Sequence, residues 1–167
     1  QTTVTFNKKT GWVDYLDING APAFKKGYSL VPDFWRAPTD NDYGVDLQKK
    51  FAAWKDPKMD LKKFECKEFG DAKQVVAEYD MPTVSAKLLM TYTLRPDGQL
   101  VVNEKLTTDP NAKEKPMMFR FGMQLVMPQE FSKLQYYGRG PGENYIDRHW
   151  GDRIGVYNQN VADQYWG

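Results

Sequence analysis

Cysteine and histidine are almost absent from this chain: Cys66 and His149 are single copies in 167 residues. One thiol excludes an internal disulfide, and no zinc cluster can be assembled from thiolates. In Phe64-Glu65-Cys66-Lys67-Glu68-Phe69 the thiol falls on one side of a strand-like run with Phe64 and Glu68. That is the setting of a small buried or half-buried thiol rather than a nucleophile. His149 stands between Arg148 and Trp150 and has no serine or cysteine partner to act on, so it reads as a loop or surface residue rather than a general base. Charge of one sign is lacking too. The 23 basic and 22 acidic residues leave a net charge of +1, which argues against the basic face that nucleic acid requires. No apolar run is long enough to cross a bilayer. There is no internal repeat, no low-complexity segment and no secretory signal. The chain opens on Gln1 rather than methionine, which suits an excised or processed domain.

What is present is ordinary in bulk and specific in detail. Hydrophobic residues make up 41% and charged residues 27%, enough for one soluble domain with a real core. Aromatics reach 14%. Tyrosine and tryptophan stack on sugar faces and also fill β-cores, so the excess does not choose between the two uses.

Most of the chain has the alternation of β-structure. Val84, Ala86, Leu88, Met90, Tyr92 and Leu94 fall on one face of a run whose other face carries Ser85, Lys87, Thr91 and Thr93. Period two with one apolar face means a half-buried antiparallel strand. Pro96-Asp97-Gly98 supplies a turn, because Asp-Gly tolerates positive φ, and a second strand follows over residues 100–106. Further strands are expected over 3–6, 12–18, 61–69, 74–79, 117–127, 133–137 and 154–157, with Phe119, Phe121, Met123 and Leu125 sharing a face. Turn chemistry stands at Asn19-Gly20, Gly70-Asp71 and Asp109-Pro110-Asn111. One segment breaks the pattern. Leu47, Phe51 and Trp54 recur at helical spacing, which predicts one short helix over 45–54, ended by Asp56-Pro57. Many strands at short spacing with polar turns predict an all-β antiparallel sandwich.

Two stretches carry the chemistry. The first is Phe34-Trp35-Arg36-Ala37-Pro38-Thr39-Asp40-Asn41-Asp42-Tyr43-Gly44. It puts a guanidinium, two carboxylates, an amide and two large aromatics into one short run, and Pro38 bars a helix across it. The D-x-D spacing suggests a calcium loop, but Gly44 and Phe51 stand where ligands are required, so an EF-type site is rejected. A cation site of another kind, built on Asp40 or Asp42 with a carbonyl, has little to support it. Asp42 is placed to cap a helix starting near Val45. The remaining use is a sugar site in which carboxylates accept hydroxyl hydrogen bonds, with Trp35 as the stacking platform.

The second stretch is Tyr136-Tyr137-Gly138-Arg139-Gly140-Pro141-Gly142-Glu143-Asn144-Tyr145-Ile146-Asp147-Arg148. Its glycines lack the spacing of a dinucleotide fingerprint and precede no convincing helix. They suit a tight loop with close backbone approach that holds Arg139, Glu143 and Asn144. Arg36, Arg139 and Arg148 can pair with Asp40, Asp42, Glu143 or Asp147 and pin the two loops to each other.

Together the two stretches resemble the C-terminal small-chain domain of family 2 glycoside hydrolases of β-galactosidase type. In that family R-A-P-x-D-N-D-x-G precedes G-x-G-P-x-E-N-Y-x-D-R; here residues 36–44 and 138–148 match, and Val4-Thr5-Phe6-Asn7-Lys8-Lys9-Thr10-Gly11 looks like the domain's first hairpin. The resemblance implies the large supersandwich shared with galactose mutarotases, incomplete here. Residues 1–167 would then be a single sandwich domain, a fragment of a larger multidomain glycosidase.

The resemblance also implies an accessory role. Both catalytic glutamates of the family lie on a separate (β/α)8 barrel, which needs about 250 residues, so no catalytic residue is expected in this chain. The implied partners are that barrel, the parent's other domains and a β-galactoside substrate, in a homo-oligomeric parent. Mg2+ or Na+ would belong to the catalytic domain, with no metal or cofactor held here. Trp35, Arg36, Asp40, Asn41, Asp42 and Gly44 would form the lip of the substrate cleft, and Gly44 would serve as a hinge. Arg139, Glu143, Asn144, Asp147 and Arg148 would form a structural loop network. The family's later aromatic sugar contact lies beyond the matching segment. The compartment stays open between bacterial cytoplasm and periplasm. A stand-alone carbohydrate-binding module is the alternative. An aldose epimerase, suggested by the sandwich, needs a histidine–glutamate pair and rests on fold analogy alone.

Overall fold

The computed structural model describes residues 1–113, 116–142, 144 and 150–164. The chain divides into two compact units, Gln1–Val126 and Met127–Gly167.

In the first unit the largest sheet has four antiparallel strands in sequence order: β5 (Asp60–Phe69), β6 (Ala72–Met81), β7 (Ala86–Leu94) and β8 (Leu100–Thr108). Alternation decides which face is covered. Ala86, Leu88, Met90 and Tyr92 of β7 are buried and lie opposite Met81, Tyr79, Ala77 and Val75 of β6. On β8 the partners of Leu88, Met90 and Tyr92 are Leu106, Glu104 and Val102, so one charged residue stands between two apolar ones.

That face is covered by two smaller sheets. One holds β1 (Thr2–Phe6), β2 (Val13–Ile18) and β3 (Ala21–Pro22). The other pairs β4 (Val31–Asp33) with β9 (Gly122–Gln124). Val13, Leu30 and Phe34 from this layer join Tyr79, Leu88, Met90 and Tyr92 in one buried cluster. Phe6 of β1 meets Tyr92 edge-on at 5.1 Å and Phe64 at 6.0 Å. Sheet packed on sheet through alternating inward residues is a β-sandwich, as the alternation predicts.

Specific polar contacts tie the layers. The Tyr79 hydroxyl, on a residue only 2% exposed, donates to the Thr10 carbonyl at 2.7 Å. Gly11 permits this approach: its φ is +76°, and a Cβ there would lie 2.3 Å from the Tyr79 hydroxyl. Thr2 Oγ1 donates to the Gly98 carbonyl at 2.8 Å, fastening β1 to the β7–β8 turn.

Three expectations are corrected. The single helix over 45–54 is replaced by α1 (Asp40–Gly44), α2 (Leu47–Lys50) and a 3-10 turn (Ala52–Trp54). Asp46 is left-handed at φ 58° and breaks the run; a left-handed residue cannot continue an α-helix. The strand expected over 117–127 contracts to the three residues of β9. Cys66 is exposed rather than buried or half-buried. It lies on β5, an edge strand, where every residue after half-buried Phe64 is exposed.

The second unit is a ribbon of β10 (Lys133–Gly140) and β11 (Arg153–Asn160), followed by a 3-10 turn (Val161–Gln164). Tyr136 and Tyr157 are paired across the strands with ring centroids 5.5 Å apart. Tyr137 lies opposite Val156, and Arg139 opposite Ile154; Tyr137, Val156 and Ile154 are exposed.

Candidate functional site

The polar segment over 34–44 is held at its start by an apolar anchor. At its start, β4 delivers Phe34 into the core, where it is 1% exposed and packs against Trp54 at 5.2 Å. The indole N–H of Trp54 donates to the Pro116 carbonyl at 2.7 Å. Asp33 Oδ1 accepts the Trp35 amide at 3.1 Å and turns the chain. Asp33 also faces Arg120 at 3.6 Å.

After Pro38 the chain enters α1. Thr39 is the N-cap with extended backbone, φ −92° and ψ 172°. The Asp42 carboxylate reaches back to accept the Thr39 amide at 2.7 Å and its hydroxyl at 3.1 Å. Asp42 is therefore an N3 capping-box residue of α1, not the cap of a helix starting near Val45. Pro38 bars a helix across the segment but not after it.

The same carboxylate is gripped by Arg36, whose two terminal nitrogens reach its two oxygens at 2.5 and 3.1 Å. The Asp42 side chain is 7% exposed and that of Arg36 is 35% exposed. The Arg36 hydrogen bond and then the Thr39 amide hold the Asp42 carboxyl down at about 2. It is thus an ion at any ordinary pH.

Phe119 lies beneath this pair. The Arg36 guanidinium sits 4.5 Å from its ring centroid, and Trp35 and Phe51 meet it edge-on at 4.9 and 5.0 Å. A cation over the ring face is attracted by the aromatic quadrupole. Phe119 was predicted as one of a strand's alternating residues. It instead lies outside regular structure as an aromatic post, and no periodic signal marks that use.

The six residues expected at a cleft lip therefore fall into two groups. Arg36 and Asp42 close on each other and shape the segment. Asp40, Asn41 and Gly44 are exposed, and Trp35 is half-buried with Lys55 Nζ 5.9 Å from its ring. Gly44 ends α1 without a positive φ, and a Cβ there would meet nothing within 4 Å. Its backbone does not demand glycine.

In the second motif Gly138, Arg139 and Gly140 belong to β10 rather than to a loop. Gly140 serves close approach: a Cβ there would lie 2.3 Å from the Tyr136 hydroxyl and 3.0 Å from Tyr157. Arg139 donates to the Asp152 carbonyl at 3.1 Å and sits 5.9 Å from the Trp150 ring centroid. Asn144 is exposed. Glu143, Asp147, Arg148 and His149 lie outside the described residues.

Among the described residues no three acidic, histidine or cysteine side chains come together as a metal site. No helix of the described residues is long and apolar enough to cross a membrane. Two clefts of about 560 Å³ lie elsewhere in the first unit, one bordered by Met81, Pro82, Ser85 and Thr107, the other by Leu16, Phe24 and Leu125. Neither is lined by residues 34–44. The segment presents a polar edge braced by the Arg36–Asp42 pair.

The model of the β-galactosidase small chain matches residues 1–166. The chain belongs to that family. It is 30% identical over 97% of its length to a β-galactosidase of Priestia megaterium, and 30% identical over 97% to one of Lactobacillus delbrueckii subsp. bulgaricus. Against a β-galactosidase of Clostridium acetobutylicum identity rises to 35% over 91% of the chain. The chain spans only 15%, 16% and 17% of these three relatives.

Proposed function

We propose that this small-chain domain is a non-catalytic part of a β-galactosidase, in which the parent hydrolyses terminal β-D-galactosides and this domain packs on the catalytic barrel and shapes the mouth of its active site. The observation that carries the reading is the match over 1–166 to a β-galactosidase small chain in a chain spanning about a sixth of such relatives. Hydrolysis needs two carboxyl groups flanking the bond, about 5–5.5 Å apart for retention and further apart for inversion. Asp42 is already committed to Arg36 and Thr39, so it is unsuited to either role.

The lip is the exposed edge of residues 34–44. Asp40 and Asn41 would meet sugar hydroxyls, and half-buried Trp35 would offer an apolar ring edge. Arg36 and Asp42 would keep that edge rigid, because ordering it on binding would cost affinity. Any Mg2+ or Na+ would sit in the catalytic domain of a homo-oligomeric parent.

A carbohydrate-binding module is the second reading. Tyr137 and Trp150, 78% and 83% exposed, favour it as stacking platforms. Assay of the chain alone with a chromogenic β-galactoside tests the main reading. No turnover is expected; turnover that survives repurification and is lost on Asp40→Asn would overturn it.

A further inference from the structure

Glu104 breaks the apolar row of β8. Its cross-strand partner is Met90, buried, and its neighbours along the inward face are half-buried Val102 and Leu106. One of its oxygens, Oε1, is buried with no hydrogen-bond partner among the described residues, and so is the hydroxyl of Tyr92. Tyr92 of β7 is 1% exposed and pairs with Val102 of β8, which makes Glu104 its diagonal neighbour, within reach of long side chains. Two orphaned polar atoms, one able to donate and one to accept, thus occupy neighbouring positions on one buried face. Leaving either unsatisfied is costly.

A second carboxylate, on the covering layer, acts on Glu104 through its charge. Asp33 on β4 lies close enough to Glu104 for its charge to oppose ionisation. Asp33 accepts the Trp35 amide and faces Arg120 across 3.6 Å. The Arg120 guanidinium, 46% exposed, is the positive group paired with Asp33. Two carboxylates and one half-solvated cation favour one proton retained on the buried member.

We propose that Glu104 is a positioning residue for the 34–44 segment: it stays neutral beside Tyr92 and Asp33, and its ionisation loosens the Asp33 carboxylate that anchors the Trp35 amide. Burial, and then the charge of Asp33, push the Glu104 carboxyl up to about 7. The change therefore falls near neutral pH. Glu104 acts on the segment through Asp33. Any consequence for galactosides rests on the lip reading above, whereas the coupling to Trp35 does not.

The test is a pH titration of the full 167-residue chain by NMR, following the Glu104 side-chain carboxyl and the Trp35 amide together. Both are expected to move with one midpoint near 7. An ordinary imidazole also titrates in this range, so Glu104→Gln is the deciding variant: the Trp35 amide should stop responding between pH 6 and 8. Asp33→Asn, which keeps an acceptor for that amide, should lower the Glu104 midpoint. A Glu104 midpoint below 5.5, or a Trp35 response unchanged in Glu104→Gln, overturns the proposal. If the coupling holds while galactoside kinetics of the parent ignore Glu104→Gln, the lip reading fails and the coupling stands.

Discussion

Arg36 holds both oxygens of Asp42, at 2.5 and 3.1 Å, across six residues of one chain segment. The pair converts a run of polar residues, otherwise free to solvate individually, into a closed turn resting on Phe119.

That closure sets an acid sensitivity. Asp42 is lowered from 3.8 to about 2, so its contribution to stability is complete above about 4 and is lost as pH falls through about 2. Asp42→Asn should lower Tm at pH 7 and flatten the loss between pH 4 and 2. Thermal unfolding of both proteins across that range checks it; equal slopes would show that the pair is not formed.

Tyr79 and the Gly11 backbone approach closely where the layers meet. Gly11→Ala adds a Cβ at positive φ and against a buried hydroxyl, so it should cost about 2 kcal/mol or more. Tyr79→Phe removes one hydrogen bond and leaves the Thr10 carbonyl with one fewer donor, at about 1 kcal/mol. Urea midpoints separate the two.

How far the sequence reveals this fold depends on local pattern. The β7–β8 hairpin was legible because its alternation and its Asp-Gly turn agree, and the inward residues are the expected ones. The 3-10 turn at Pro82–Val84 and left-handed Ser85 trim its start without changing the faces. β4 was not legible: three residues centred on Pro32 carry no period. Neither was the role of Phe119, which is defined by partners from distant segments. Cys66 misled because alternation reports which side a residue is on, not whether that side is covered. For the site, the motif was readable as a polar loop, but its division into inward Asp42 and outward Asp40 needed three dimensions.

Gly44 offers a contrast with Gly11. It has neither a positive φ nor a close neighbour, and it ends a short helix. Gly44→Ala should leave stability unchanged or raise it by about 0.5 kcal/mol, by restricting the unfolded chain. Changed turnover or substrate affinity in the parent with unchanged stability would support the hinge role; unchanged kinetics would remove it.

Glu104 gives the opposite pH response to Asp42. Its folded value, raised from 4.5 to about 7, means that the folded state keeps a proton the unfolded state has released. Stability should therefore fall as pH rises from about 4.5 to about 7. Glu104→Gln should abolish that part of the slope and be more stable than the parent sequence at pH 8. Denaturant midpoints at pH 5 and 8 for both proteins decide it.

On the proposed role, this domain folds around its own core and needs the rest of the enzyme to complete a sugar site. A ¹⁵N–¹H correlation spectrum of the chain, titrated with lactose, tests it most directly. The account predicts well-dispersed peaks that do not respond to lactose. Saturable shifts over residues 35–44 would contradict it and place a working sugar site within this chain.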